Sequence, residues 1–185
     1  MAFGEQFDDV LEAARAGAEW AWSILYDELS PKLHGYLRVR GAVDAENLVG
    51  EVFLQVARNI ETFDGTERNF HSWVFMVAHS RLIDERRART RRPEQLVETE
   101  KLTGVVSADD TERAALDRID DGLLRTLFSE LTPDQRDVLM LRIIGGLTLE
   151  ETSRALGKRI GAITALQRRA LGAIRRKLDN EGVAR

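Results

Sequence analysis

The chain has 185 residues, 43% hydrophobic and 31% charged, with no cysteine and a formal net charge of −4. Enough apolar side chain is present to bury a core, which argues against global disorder, and the lack of cysteine excludes disulfides, thiolate metal sites and cysteine nucleophiles. No apolar run approaches the roughly 18 residues that span a bilayer, and residues 1–9 lack the basic patch and apolar stretch of a secretory leader, so a cytoplasmic location is expected.

Apolar residues recur at helical spacing nearly throughout, and strand alternation is nowhere sustained. The pattern predicts helices over 5–16, 18–29, 31–40, 44–60, 70–90, 112–130, 133–144, 148–156 and 161–178. Leu48, Val49, Val52, Phe53, Val56, Ala57 and Ile60 form one apolar stripe; Ile119, Leu123, Leu124, Leu127, Phe128 and Leu131 form another. Between them, residues 64–69 (Asp-Gly-Thr-Glu-Arg-Asn) read as a polar loop. Residues 93–111 hold Pro93, Gly104 and Ser107 and are acidic, which reads as a flexible linker. The expected architecture is therefore all-α: two small helical domains, 1–92 and 112–185, joined across 93–111. Thr132-Pro133-Asp134-Gln135 and Thr148-Leu149-Glu150-Glu151 are capping boxes. Gly157 is a candidate left-handed cap ending a short helix.

Charge is unevenly spread. Residues 1–80 carry 6 basic and 13 acidic side chains. Residues 81–92 carry 6 basic and 2 acidic, and residues 154–178 carry 8 basic and none acidic. Two short basic blocks in an acidic chain suit a polyanion, which the acidic parts would repel.

The second block follows a short helix and a turn, the arrangement of a helix-turn-helix. Ile163, Leu166, Ala170, Ile174 and Leu178 share one face and would pack inward. Thr164, Ala165, Arg168, Arg169, Gly172, Arg175 and Arg176 share the opposite arc. Arginines there can contact phosphate or read guanine, and small residues let the helix sit deep in the major groove. Lys158 and Arg159 lie in the turn, where phosphate contacts are common. The first block follows Phe70, Trp73, Phe75 and Met76. Rings that stack on unstacked bases, beside arginines that hold the backbone, suit single-stranded nucleic acid, and the preceding polar loop suits a pocket for an extruded base. The helix at 44–60 has an apolar face for the core and a second face with Glu46, Asn47, Glu51, Gln55 and Asn59, suited to a protein partner or to solvent.

Catalytic signals are poor. His34, His71 and His79 are scattered and read as surface or loop residues. No metalloprotease, phosphate-loop or nucleophile-elbow motif is present. No enzyme activity, metal or cofactor is expected.

These residues together resemble the extracytoplasmic-function (group IV) sigma factors of bacterial RNA polymerase, within the sigma-70 family. Residues 44–59 resemble region 2.2, residues 70–87 regions 2.3 and 2.4, and residues 131–142 and 146–157 region 4.1 and the first helix of the region 4.2 helix-turn-helix. The resemblance spans about residues 18–178. It implies a promoter-specificity subunit that binds core RNA polymerase through the β′ clamp helices and the β flap. Such a subunit recognises −10 and −35 promoter elements and promotes strand opening, under control of an anti-sigma factor. It implies core docking by Asp44, Glu46, Asn47, Leu48, Glu51, Val52 and Gln55. It implies −10 contacts from Arg68, Asn69, His71, Trp73, His79, Ser80, Arg81, Arg86 and Arg87. The implied −35 contacts are Lys158, Arg159, Thr164, Ala165, Arg168, Arg169, Arg175 and Arg176. Two departures stand out. The family's usual basic positions in the last helix are Thr164 and Leu166 here, and Ser80 stands where the family often has Asn. A stand-alone helix-turn-helix repressor is the rival reading, and a sigma mimic that only sequesters an anti-sigma factor is a second.

Overall fold

The computed structural model describes residues 6–91, 128 and 130–180. The linker at 93–111, Arg92 and nearly all of the helix expected at 112–130 lie outside these residues. Every regular element described is helical: α1 (Phe7–Arg15), α2 (Glu19–Val39), α3 (Ala45–Asn59) with a 3-10 turn at Ile60–Thr62, and α4 (Glu67–Arg91). Next come α5 (Pro133–Leu139), which runs into a π-helical turn at Met140–Ile144, α6 (Leu149–Leu156) and α7 (Ile160–Asn180).

One helix replaces the two expected on either side of Pro31. The proline forfeits a backbone hydrogen bond and strains the preceding turn, at a cost of about 3 kcal/mol. Against that, Ala21, Leu25, Leu29, Leu33, Tyr36 and Leu37 form one unbroken buried stripe through both halves. Each large side chain buried contributes about 1.5–3 kcal/mol, so the stripe outweighs the proline, whose ring stays exposed.

Helix α4 begins earlier than the apolar pattern implied. Asn69 Oδ1 accepts from the Thr66 amide at 3.1 Å and from the Thr66 hydroxyl at 2.7 Å, and the Asn69 amide donates back to that hydroxyl at 3.4 Å. This reciprocal cap draws Glu67, Arg68 and Asn69 into the first turn, so the expected base-sized loop pocket is not formed there.

The first module packs α4 on α3 and α2, with α1 across α2. Arg15 fastens α1 to the end of α3 by donating to the carbonyls of Ile60, at 3.3 Å, and Phe63. In the second module α5 and α6 both pack on α7. Both capping boxes are present, at Thr132 with Gln135 and at Thr148 with Glu151. Gly157 takes φ of 61°, the left-handed conformation that ends α6 and admits the turn into α7.

The two modules share one apolar core. Helix α4 is apolar on two sides, the mark of a helix covered twice. Phe70, Val74, Ala78 and Leu82 are wholly buried, as is Phe75, which meets the tip of the second module. A β-carbon on Gly145 would stand 3.0 Å from the Phe75 ring, so only glycine fits this contact without displacement. Beside it, Arg40 at the end of α2 pairs with Asp137 of α5, both buried, and donates to the Pro133 carbonyl at 3.5 Å.

Candidate nucleic-acid interface

Helices α6 and α7, joined at Gly157–Arg159, form a helix-turn-helix. Ile163 and Ala170 are buried, with Leu166, Ile174 and Leu178 partly covered, as the wheel predicted. That seats α7 and turns Thr164, Arg168, Arg169, Arg175 and Arg176 to solvent, with Ala165 half-buried beside them. The seating is reinforced by Arg142, which donates to the Leu147 carbonyl and to Gln167 Oε1 at 3.3 Å. In the turn Arg159 is exposed, whereas Lys158 is held by Asp134 at 2.9 Å. The resulting convex basic helix can enter a major groove with four arginines on its outer arc.

The residues expected at a single-strand site divide between two faces of α4. Asn69, Trp73, Ser80 and Arg87 follow one another at three- to seven-residue intervals along an outward stripe. Asn69, Ser80 and Arg87 are exposed and Trp73 is half-buried. Trp73 stacks on Phe63 at 5.2 Å and meets Phe70 edge-on at 5.7 Å, so one side of its indole belongs to the core. Arg81 flanks the stripe, its Nε donating to Gln55 of α3 at 2.7 Å. Arg68, His71, His79 and Arg86 instead face the second module. Arg68 and His71 line a cleft of about 400 Å³ with Ile144, Gly145 and Gly146. Arg86 donates to the Arg40 carbonyl.

His79 corrects the reading of the histidines as surface or loop residues. It is buried on α4, with Nδ1 2.8 Å from the Tyr36 hydroxyl. Burial lowers its pKa to about 4, and the nearby charges of Arg40 and Arg86 add to that. The imidazole is therefore neutral at pH 7 and carries no charge for a phosphate. His71, also on α4 and half-buried, is shifted down by burial and then by Lys32. Asp137 moves the other way: burial raises it to about 6, opposed by Arg40 and Arg86. Among the described residues, no group of His, Asp and Glu is arranged to hold a metal.

On α3, Glu46, Asn47 and Glu51 are exposed, and Gln55 is half-buried against Arg81. Asp44 caps the helix by accepting from the Asn47 amide at 2.9 Å. Leu48 and Val52 are core residues, 3% and 0% exposed, so neither can touch a partner directly. Next to this face lies a feature the sequence reading passed over. A cleft of about 640 Å³ runs between α2 and α3, with Trp22, Tyr26, Phe53 and Leu54 among its lining residues. Leu54 is 60% exposed, and Trp20 and Ile24 are exposed on α2. The signal available was position: Leu54 falls off the stripe of Leu48, Val52 and Val56, and Trp20 and Ile24 fall off that of Ala21, Leu25 and Leu29.

A helical bundle with an aromatic and basic helix, followed by a separate basic helix-turn-helix, defines a DNA-binding protein with two distinct nucleic-acid faces. Residues 25–92 match the family model for sigma-70 region 2, and residues 127–176 match that for sigma-70 region 4. The ECF RNA polymerase sigma factor BldN of Streptomyces coelicolor is 32% identical over 180 residues, covering 94% of this chain and 66% of BldN. The ECF RNA polymerase sigma factor SigD of Mycobacterium tuberculosis is 30% identical over 188 residues, covering 98% of this chain and 86% of SigD. The solved structure of the sigma factor RpoE with the anti-sigma factor NepR from Bartonella quintana shares the fold, with a TM-score of 0.57 at 19% identity over 86% of this chain and 96% of that one. The chain belongs to the extracytoplasmic-function sigma factors of bacterial RNA polymerase: it is a promoter-specificity subunit and not an enzyme. A stand-alone repressor is not favoured, since it leaves the whole region 2 match without a use.

Proposed function

We propose a division of labour among three surfaces. The α7 arc of Arg168, Arg169, Arg175 and Arg176, with Arg159 in the turn, binds the −35 duplex. The outward stripe of α4, with Asn69, Trp73, Ser80, Arg81 and Arg87, engages the opened −10 strand. The acidic face of α3, with Glu46 and Glu51, docks on core RNA polymerase together with the apolar cleft between α2 and α3. One observation carries the reading: two basic faces are exposed on two different modules, while the surface beside α3 is acidic and apolar and suits protein rather than DNA. The domain limits 1–92 and 112–185 follow from it.

The partners are core polymerase and promoter DNA, which place the protein in the cytoplasm; no described helix is long and apolar enough to cross a membrane. An anti-sigma factor is proposed as the regulator, since the RpoE neighbour is solved with one. The test is multi-round run-off transcription with bacterial core polymerase on a genomic promoter library, with and without this chain. Chain-dependent transcripts sharing two spaced elements are expected. Unchanged transcription in the presence of the chain, despite its binding to duplex DNA, would overturn the reading.

A further inference from the structure

The buried pair between Arg40 and Asp137 has no role in any of the three surfaces. It joins the end of α2 to the start of the second module, and its side chains are only 3% and 10% exposed. Around it, Arg40 also reaches the Pro133 carbonyl, Arg86 reaches the Arg40 carbonyl, and Phe75 closes against Gly145. Ion pairs this buried give little net stability over an apolar pair, but removing one partner strands the other and is strongly disruptive. Such a pair is suited to fixing one arrangement of two modules.

That arrangement cannot be the one that reads a promoter. Elements centred near −10 and −35 lie about 25 base pairs apart, or about 85 Å at 3.4 Å per base pair. Modules held together through Arg40 and Asp137 are in direct contact. The 36 residues between Arg91 and Phe128 reach about 120 Å at full extension, so chain length permits separation. The same contact turns Arg68, His71, His79 and Arg86 of α4 toward the second module.

We propose that the Arg40–Asp137 pair is an intramolecular latch: in the free protein the second module closes over one face of the −10 helix, and docking on polymerase opens it. The inference rests on the sigma-factor reading for the open state, whereas the closed state is tested on the free protein alone.

The chain has no cysteine, so a Val43→Cys/Asp134→Cys variant of the full chain takes a dye pair at two positions only. Both positions are exposed and lie within three residues of Arg40 or Asp137. Single-molecule energy transfer is recorded free and with excess core polymerase. The free protein should show one high-transfer population, and polymerase should convert it to low transfer. Asp137→Ala should shift the free protein's open-to-closed ratio on the order of a hundredfold. Arg40→Met/Asp137→Leu, which strands no charge, should stay closed. Low transfer in the free parent overturns the latch. So does a helical Asp137→Ala protein with the parent's transfer distribution, or an Arg40→Met/Asp137→Leu protein that is open. If Asp137→Ala loses its helical circular dichroism, the parent decides: loss of transfer on polymerase supports the latch, and unchanged transfer in a polymerase-bound complex refutes it. Absence of run-off transcripts bears on the sigma reading, not on the closed free state.

Discussion

Removing Arg175 and Arg176 together should change how DNA binding responds to salt before it changes anything else. Both are exposed near the end of α7, and the partly covered Ile174 and Leu178 beside them stay intact, so the substitution leaves the packing face untouched. Five exposed arginines, at 159, 168, 169, 175 and 176, are available to meet phosphate. If each neutralises one phosphate, log K falls with log salt at a slope of about −4.5, and the double alanine variant brings this to about −2.7. From 50 to 200 mM salt, the parent should then lose about 500-fold in affinity and the variant about 40-fold. Fluorescence anisotropy of a labelled duplex across that salt range measures both slopes. Identical slopes would show that the end of α7 does not meet the backbone. A variant that loses affinity equally at every salt would point to packing rather than charge.

Glu46→Arg/Glu51→Arg should weaken core polymerase binding by about tenfold or more while duplex binding is unchanged; fluorescence titration with labelled core checks this, since reversal adds repulsion to lost attraction. Asn69→Ala should cost about 1 kcal/mol in thermal unfolding because Asn69 is a helix cap. Ser80→Ala/Arg87→Ala should leave unfolding unchanged but reduce permanganate reactivity of −10 thymines, and transcription should recover on a template already mismatched there. His79 is neutral in the fold, with a pKa near 4 against an ordinary 6.5. Its depressed value means that its stabilisation is present above pH 6.5 and is lost as pH falls toward 4, by up to about 3 kcal/mol. Asp137, raised from 3.8 to about 6, acts in the opposite sense over much of that window. The informative quantity is thus the difference between parent and His79→Gln: the parent's Tm should fall more steeply between pH 7 and 4.5, and parallel curves would show that His79 is not buried neutral.

What the sequence disclosed was whatever depends on near neighbours. The capping boxes at Thr132 and Thr148, the glycine turn at Gly157 and the two-sided character of α7 are all settled within a few residues. The cap at Thr66 was missed because Asn69 is a less familiar partner for it than Glu or Gln. Pro31 misled because its cost is local, whereas the stripe that outweighs it runs the length of α2. His79 reads as polar until Tyr36, on another helix, is placed against it. The pairing of Arg40 with Asp137 joins residues from different modules, each of which reads as an ordinary charge in its own helix. The cleft between α2 and α3 was visible only as apolar residues out of phase, a weak sign until both helices are side by side.

The wide turn at Met140–Ile144, closed by the Gly145 amide on the Met140 carbonyl at 3.0 Å, holds one residue more than an ordinary helical turn. An α-helix advances about 100° per residue. Deleting one residue here would restore a regular turn and rotate everything beyond it by about that angle about the axis of α5. Gly145 would swing away from Phe75, and the α7 arginines would point elsewhere relative to the first module, though no side chain on either surface had changed. The turn thus works as a phase gauge for the reading head. It marks a place where a lineage could re-aim one half of the molecule against the other by a single-codon deletion, leaving the chemistry of both halves as it was.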